Sequence, residues 1–216
     1  MERFSDIGFI LLPLIAYLLG SIPWGLVLTR VAAKDVDIRQ HGSGNIGATN
    51  VRRVAGNLLG MLTLTGDVLK GAVPVLAASI WGPTQGVWND LYVPLVALAA
   101  FAGHLYPVYL GFRDGGKGVA TAAGCFCVIS PPSVVVAVLA FVVVAGWSNR
   151  VSAGSLFASA VLPVAVWEVT GSDWLTGCAV LIAGLIALRH LENIKRLMDG
   201  TEPRICDRQS KSNSAS

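Results

Sequence analysis

Long apolar runs recur along this chain, and they limit its fold more than any other feature. Seven can be placed, at about residues 6–29, 58–81, 91–111, 117–129, 133–147, 151–169 and 174–189. An α-helix rises about 1.5 Å per residue, so roughly 20 apolar residues cross the ~30 Å hydrocarbon layer of a bilayer. Lipid offers the backbone no hydrogen-bond partner, which leaves helices or closed barrels, and these runs lack the alternation of barrel strands. The expected fold is an all-α integral membrane protein with seven transmembrane helices. Composition points the same way: 54% of the 216 residues are hydrophobic and 13% are charged, with a mean hydropathy of +0.64, above that of ordinary soluble domains.

The fourth run is short and can be read with the fifth as one helix broken at Pro131 and Pro132. The basic residues decide between the readings, because Lys and Arg collect in cytoplasmic loops. Arg30, Lys34, Arg39, Arg52 and Arg53 follow the first run, Arg113 and Lys117 the third, Arg150 the fifth, and six more lie between Arg189 and Lys211. The connections 82–90, 130–132 and 170–173 contain none. Seven spans, with the N-terminus outside and the C-terminus cytoplasmic, put every basic loop on one side. The first run is long with little positive charge ahead of it, so it reads as a retained span rather than a signal peptide. Residues 1–206 are expected to form one membrane domain, and the Ser-rich residues 207–216 a disordered cytoplasmic tail. No internal repeat of the transporter kind is evident. Cys125, Cys127, Cys178 and Cys206 show no zinc-site spacing and read as packing residues.

Three polar islands then fall at cytoplasmic edges. In the first, "GSGNIGATNVRR", Ser43, Gly44, Asn45, Gly47, Thr49 and Asn50 bring little apolar area. Glycines let backbone N–H groups converge on an anion, while hydroxyl and amide side chains add donors. Thr49 or Asn50 is placed to cap a helix running into Val51–Val54, and Arg53 supplies a planar fork suited to phosphate. The plain alternative, a tight loop with capping residues, needs fewer small polar residues and no arginine. The second island, "GFRDGGKG", matches the G-x-x-x-x-G-K opening of a P-loop, but Gly118 stands where Ser or Thr would hold magnesium and no buried strand precedes it. What remains is a flexible loop that delivers the Lys117 ammonium. Ordinary positive-inside anchoring is the alternative. In the third, His190 and Asn193 are three apart on one helix face, whereas Glu192 points elsewhere, toward Lys195 or Arg196. Within the runs, His104 needs a partner or a wet cavity, and Asp67 and Lys70 are spaced to pair.

These residues carry a resemblance. "SGNIGATNVRR", "GHLYPVYLGF" with "GGKGVAT", and "RHLENIKRLMDGTE", together with "DVLKG", resemble the signature motifs of the bacterial acyl-phosphate-dependent glycerol-3-phosphate acyltransferases of the inner membrane, in the same order and over nearly the whole chain. The resemblance implies a seven-span enzyme facing the cytoplasm. It would move a fatty acyl chain from acyl phosphate to the 1-hydroxyl of sn-glycerol 3-phosphate, an early step of phospholipid biosynthesis giving lysophosphatidate and inorganic phosphate. It implies membrane lipids as surroundings, no nucleic-acid partner, no cofactor and no metal. By position it makes Ser43, Asn45, Lys117, His190 and Asn193 the catalytic set and Gly44, Thr49, Asn50, Arg53, Gly115, Gly116 and Ser152 the substrate- and phosphate-binding set, with His190 and Asn193 against the glycerol. Two departures stand out: the loop 112–117 holds one extra residue, and Leu191 stands where arginine is common.

Acyl phosphate is a mixed anhydride with a good leaving group, so attack by an alcohol needs mainly alignment and stabilisation of negative charge. No compelling Ser-His-Asp set and no H-x-x-x-x-D pattern is present. The expected route is direct transfer, with a substrate phosphate oxygen taking the hydroxyl proton or, as the second choice, His190 acting as general base. A transporter would carry polar residues through the full membrane thickness, and a scaffold would not need the converging Ser, Asn, Thr, Arg and Lys set.

Overall fold

A computed structural model describes residues 6–33, 36–83 and 86–205; Lys34, Cys206 and the expected tail at 207–216 lie outside them. The described residues form ten α-helices and a short 3-10 turn at Val108–Leu110, with no strand among them. The first apolar run is not one straight helix. It divides into α1 (Asp6–Gly20) and α2 (Trp24–Ala32), bent by 44°. Pro23 is the reason: it has no N–H to give a continuing helix, and its backbone sits at φ −87°, ψ 74°.

α3 (Ala48–Ala55) is short and carries Arg52 and Arg53 in its last turn. Four segments are long and apolar enough to cross a membrane by themselves: α4 (Asn57–Trp81), the stretch Asn89–Leu110 that contains most of α5 (Val87–Leu105), α7 (Pro131–Ser148) and α8 (Val151–Thr170). The bent pair α1–α2 and the pair α9 (Asp173–Arg189) and α10 (Leu191–Met198), bent by 60°, raise the number to six. The fourth expected span is only α6 (Val119–Ile129), 11 residues long. At 1.5 Å per residue it reaches roughly 16 Å, about half the hydrocarbon thickness. Both of its ends are fixed locally: Gly118 starts it in the left-handed region at φ +83°, and Ser130 breaks it before the Pro131–Pro132 pair that opens α7.

Packing follows from small residues more than from large ones, as it must where lipid tails are as apolar as the helix faces. α1 lies on α5 and α4 on α6, while α8 is held between α7 and α9. A Cβ on Gly20 would fall 2.0 Å from the Ala100 carbonyl oxygen, and one on Gly124 would fall 2.0 Å from that of Val68. These glycines therefore set the α1–α5 and α4–α6 distances. Phe101, Phe126, Ile182 and Ile186 fill the centre, and a smaller cluster of Leu26, Ile38, Ile46 and Val51 seats α3. Asp67 and Lys70 pair as their spacing predicts, at 2.9 Å, and Lys70 also donates to the Ile22 carbonyl at 2.9 Å. Cys125 and Cys178 are buried and Cys127 is exposed, all three unbridged.

Candidate active site

The three polar islands converge on one cavity of about 820 Å³. Ser43, Gly44 and Asn45 line it from the first island, with Asp37, Arg39 and Gln40 just before them; Asp114, Gly115 and Lys117 from the second; and Leu188, Arg189, Leu191, Glu192, Asn193 and Arg196 from the third. Thr49, Asn50, Arg53, Gly116, Ser152 and His190 stand outside this lining, although all were expected at the site.

The 38–47 loop is built by Asn50. Its side chain is buried, its Nδ2 donates to the carbonyls of Ile38 (3.0 Å) and His41 (3.1 Å), and its Oδ1 accepts the Ser43 N–H at 2.8 Å. Gly42 and Gly44 turn the chain through positive φ, 63° and 69°, which costs glycine little. The helix cap expected from Thr49 or Asn50 does not form. Gly47 is the N-cap, its N–H is taken by Asn45 Oδ1 at 2.8 Å, and Thr49 and Asn50 lie inside the first turn. Asn50 is drawn away because the loop offers it two carbonyls and an N–H. Thr49 and Arg53 are exposed on α3.

The second loop is clamped from both sides. Gly116 N–H donates to the His104 carbonyl at 3.1 Å, and a Cβ on Gly115 would lie 1.9 Å from the Leu105 carbonyl oxygen. From the other side Arg189 donates to the carbonyls of Gly115 (2.6 Å) and Gly116 (3.2 Å), while its guanidinium lies 5.9 Å from the centre of the Tyr106 ring. Two non-glycine residues turn this loop through the left-handed region, Phe112 at φ 64° and Asp114 at φ 55°. The loop delivers Lys117, whose Nζ donates to Asn193 Oδ1. Burial pulls the Lys117 ammonium down to about 8, opposed by the Glu202 carboxylate.

At the third corner the chain turns at His190. Its ring is buried and its Nδ1 meets the Ile186 carbonyl at 2.8 Å. A carbonyl only accepts, so Nδ1 carries the proton and Nε2 is the free lone pair. Burial pulls this imidazole down to about 4, so it is neutral at pH 7. Asn193 continues the chain from Lys117: its Nδ2 donates to Glu202 Oε1 at 2.7 Å, and Arg196 Nε donates to Glu202 Oε2 at 2.8 Å. Burial pushes the Glu202 carboxyl up, but Arg196, Ser152 and Asn193 together hold it below its ordinary value. Ser152 contributes from beside the carboxylate although its buried Oγ makes no hydrogen bond of good geometry. Arg150 donates to the carbonyls of Gly200 (3.0 Å) and Leu197 (3.5 Å), and Ile205 N–H to that of Asn149 (2.8 Å), tying the 200–205 return to the α7–α8 turn.

Glu202, Arg189 and Arg39 were not singled out in the sequence as site residues. Glu202 closes the "DGTE" segment of the third motif, but nothing local shows that it folds back nine residues onto Asn193. Arg189 and Arg39 read only as cytoplasmic anchoring charges, and Arg39 forms a bidentate pair with Asp37 at 3.0 and 2.8 Å.

Apolar helices around a loop-built cavity lined by cations, carboxylates, amides and glycine backbone define a helical integral membrane protein with a polar site at its loops. Residues 10–200 match the model of the glycerol-3-phosphate acyltransferase family, and the chain belongs to that family. It is 50% identical to a glycerol-3-phosphate acyltransferase of Syntrophotalea carbinolica over 91% of this chain and 97% of the relative. One from Geobacter sulfurreducens is 48% identical over 90% and 96%. The fold is similar to the crystal structure of PlsY (YgiH), an integral membrane glycerol 3-phosphate acyltransferase. The TM-score is 0.83 to its glycerol 3-phosphate form, at 38% identity over 91% of this chain and 94% of that one. For the lysophosphatidic acid form the values are 0.80 and 37% over the same shares.

Proposed function

We propose that this protein transfers a fatty acyl group from acyl phosphate to the 1-hydroxyl of sn-glycerol 3-phosphate, releasing inorganic phosphate and 1-acyl-sn-glycerol 3-phosphate early in phospholipid biosynthesis. The observation that carries the reading is the meeting of the 43–45 loop, Lys117 and Asn193 at one polar cavity among apolar helices. A water-soluble phosphate ester and a lipid-soluble acyl phosphate need such a place. The protein sits in a bacterial inner membrane with this cavity toward the cytoplasm, the N-terminus outside and the C-terminus inside. It passes seven times, as α1–α2, α4, α5, the short α6, α7, α8 and α9. The basic loops support this orientation.

In this reading Lys117 and the backbone of Ser43, Gly44, Gly115 and Gly116 neutralise substrate phosphate, Asn50 braces the 38–47 loop, and the exposed Thr49 and Arg53 of α3 add phosphate donors. Asn45 belongs to the same phosphate loop, its Oδ1 accepting the Gly47 N–H, and Asn193 and His190 sit against the glycerol with Ser152 beside them. The 1-hydroxyl oxygen attacks the acyl carbonyl carbon, that carbon–oxygen bond forms as the acyl–phosphate bond breaks, and phosphate leaves. The hydroxyl proton goes to a substrate phosphate oxygen. A phosphate group titrating near about 6 is a stronger base than an imidazole held near about 4, which favours this acceptor over His190 Nε2. No acyl-enzyme forms.

Phosphate release from palmitoyl phosphate by the purified protein tests the reading, with and without glycerol 3-phosphate, comparing the parent with Lys117→Ala and Asn45→Ala. Release and lysophosphatidate formation require both substrates and collapse in both folded variants. A folded, lipid-reconstituted parent that releases no phosphate refutes it, and trapping an acylated protein on the route to product refutes direct transfer.

A further inference from the structure

Three ionisable side chains lie buried among α2, α4 and α5 in a group that the proposed reaction does not use. Lys70 Nζ is 2.9 Å from Asp67 Oδ1 and donates to the Ile22 carbonyl, where α1 gives way to α2. His104 Nδ1 faces the same Asp67 oxygen at 3.7 Å, an electrostatic contact beyond hydrogen-bond distance, and has no hydrogen-bond partner among the described residues. All three are at least nine-tenths buried. Charges inside a membrane bundle are costly, and apolar residues of similar volume would hold helices together as well. The position of the group supplies a reason for keeping it.

With Nδ1 turned toward Asp67, the opposite nitrogen of the imidazole faces the second loop. A Cβ on Gly116 would lie 2.0 Å from His104 Nε2, so the ring is packed against the bare glycine backbone. The His104 carbonyl accepts the Gly116 N–H at 3.1 Å. Arg189 grips the carbonyls of Gly115 and Gly116 from the cavity side. The two glycines are thus pressed between a guanidinium above and an imidazole below. The next residue is Lys117. Moving the glycines moves the ammonium off Asn193.

We infer that the Lys70–Asp67–His104 group is a positioning device that fixes the imidazole of His104 as the floor of the Gly115–Gly116 turn and thereby sets where Lys117 meets a substrate phosphate. His104 is a positioning residue, not a catalytic one. Lys70 and Asp67 hold its ring from the α2–α4 side. The inference rests on the proposed role of Lys117.

A double-mutant cycle separates this role from a general contribution to folding. Affinity for glycerol 3-phosphate is measured by titration calorimetry on the full-length protein in detergent, for the parent, His104→Ala, Lys117→Gln and the double variant. His104→Ala leaves the Asp67–Lys70 pair intact, so no buried charge loses its partner. It weakens binding on the order of ten-fold in the parent and less than about two-fold when Lys117 is already gone, the non-additivity that marks residues acting through one another. His104→Gln restores a polar neighbour for Asp67 without a ring under Gly116, and it shows the same dependence on Lys117 if His104→Ala fails to fold. Equal losses in both backgrounds overturn the inference alone, as does an unchanged affinity in a folded His104 variant. Unchanged affinity in Lys117→Gln overturns the reading of Lys117 and the inference with it.

Discussion

Glu202→Gln is the sharpest test of how the site is held. In the protein every donor in one chain points toward this carboxylate: Lys117 donates to Asn193 Oδ1, Asn193 Nδ2 to one Glu202 oxygen at 2.7 Å, and Arg196 Nε to the other at 2.8 Å. Gln keeps the shape but turns one acceptor into an NH₂ donor. That donor faces either Asn193 Nδ2 or Arg196 Nε, and both are donors. Flipping the Asn193 amide does not help, because its NH₂ would then meet the Lys117 ammonium. One charge-assisted hydrogen bond becomes a donor–donor contact in a buried site, a loss of about 2–3 kcal/mol. The expected result is a lower unfolding midpoint in detergent and a kcat/KM for phosphate release reduced roughly ten-fold or more, because Lys117 loses the partner that orients it. Glu192→Gln is the internal control. Its carboxylate is 88% exposed and 3.8 Å from Arg196, so it contributes less than about 0.5 kcal/mol. A Glu202→Gln protein within two-fold of the parent in both measurements refutes the reasoning.

The pH profile follows from Lys117. Burial lowers its value to about 8, so the cation is the form lost as pH rises. The kcat/KM is therefore level near neutrality and falls above about pH 8, whereas Lys117→Arg carries any alkaline fall beyond about pH 10; identical profiles for the two proteins would contradict it. Asn50→Ala leaves the Ser43 N–H and the carbonyls of Ile38 and His41 without their partner. It is expected to cost about 2–4 kcal/mol and expose the 38–47 loop to limited proteolysis, a protection pattern unchanged from the parent being the contrary result. Gly124→Ala drives a methyl to 2.0 Å from the Val68 carbonyl oxygen and forces α4 from α6, whereas nothing lies within 4 Å of a Cβ on Gly146. Thermal unfolding in detergent should show a marked loss for the first and no loss for the second, and equal midpoints would show that the α4–α6 contact yields freely.

Run length made the spanning helices legible, since an apolar run of about 20 residues without alternation leaves few alternatives. The breaks inside the runs were harder to see. Pro23 divides the first run at 44°, yet α4 passes Pro74 and α8 passes Pro163 without ending. Whether a proline ends a helix depends on what else can satisfy the freed carbonyl and fill the bend. The fourth run shortened to 11 residues because Gly118 took a left-handed conformation under the packing of Phe101 and Leu105, at 2.3 and 2.9 Å from where its Cβ would be.

The site divided in the same way. Glycines, amides and cations at three loop edges pointed to a polar site from residue type alone, and the three edges do meet at one cavity; the Asp67–Lys70 pair followed from helical spacing. Their assignment within the site did not. Asn50 was read as a cap or a phosphate ligand and its side chain braces the loop from within, while Arg189 was counted only as a cytoplasmic anchoring charge and Glu202 was given no role; they are the groups that hold the Gly115–Gly116 turn and Asn193. The sequence determined which groups were available, because donors, charge and helical period are properties of neighbouring residues. Only the tertiary structure decided which of them face the cavity and which face each other, because a buried hydrogen bond is chosen by whatever partner the packing of distant helices brings within 3 Å.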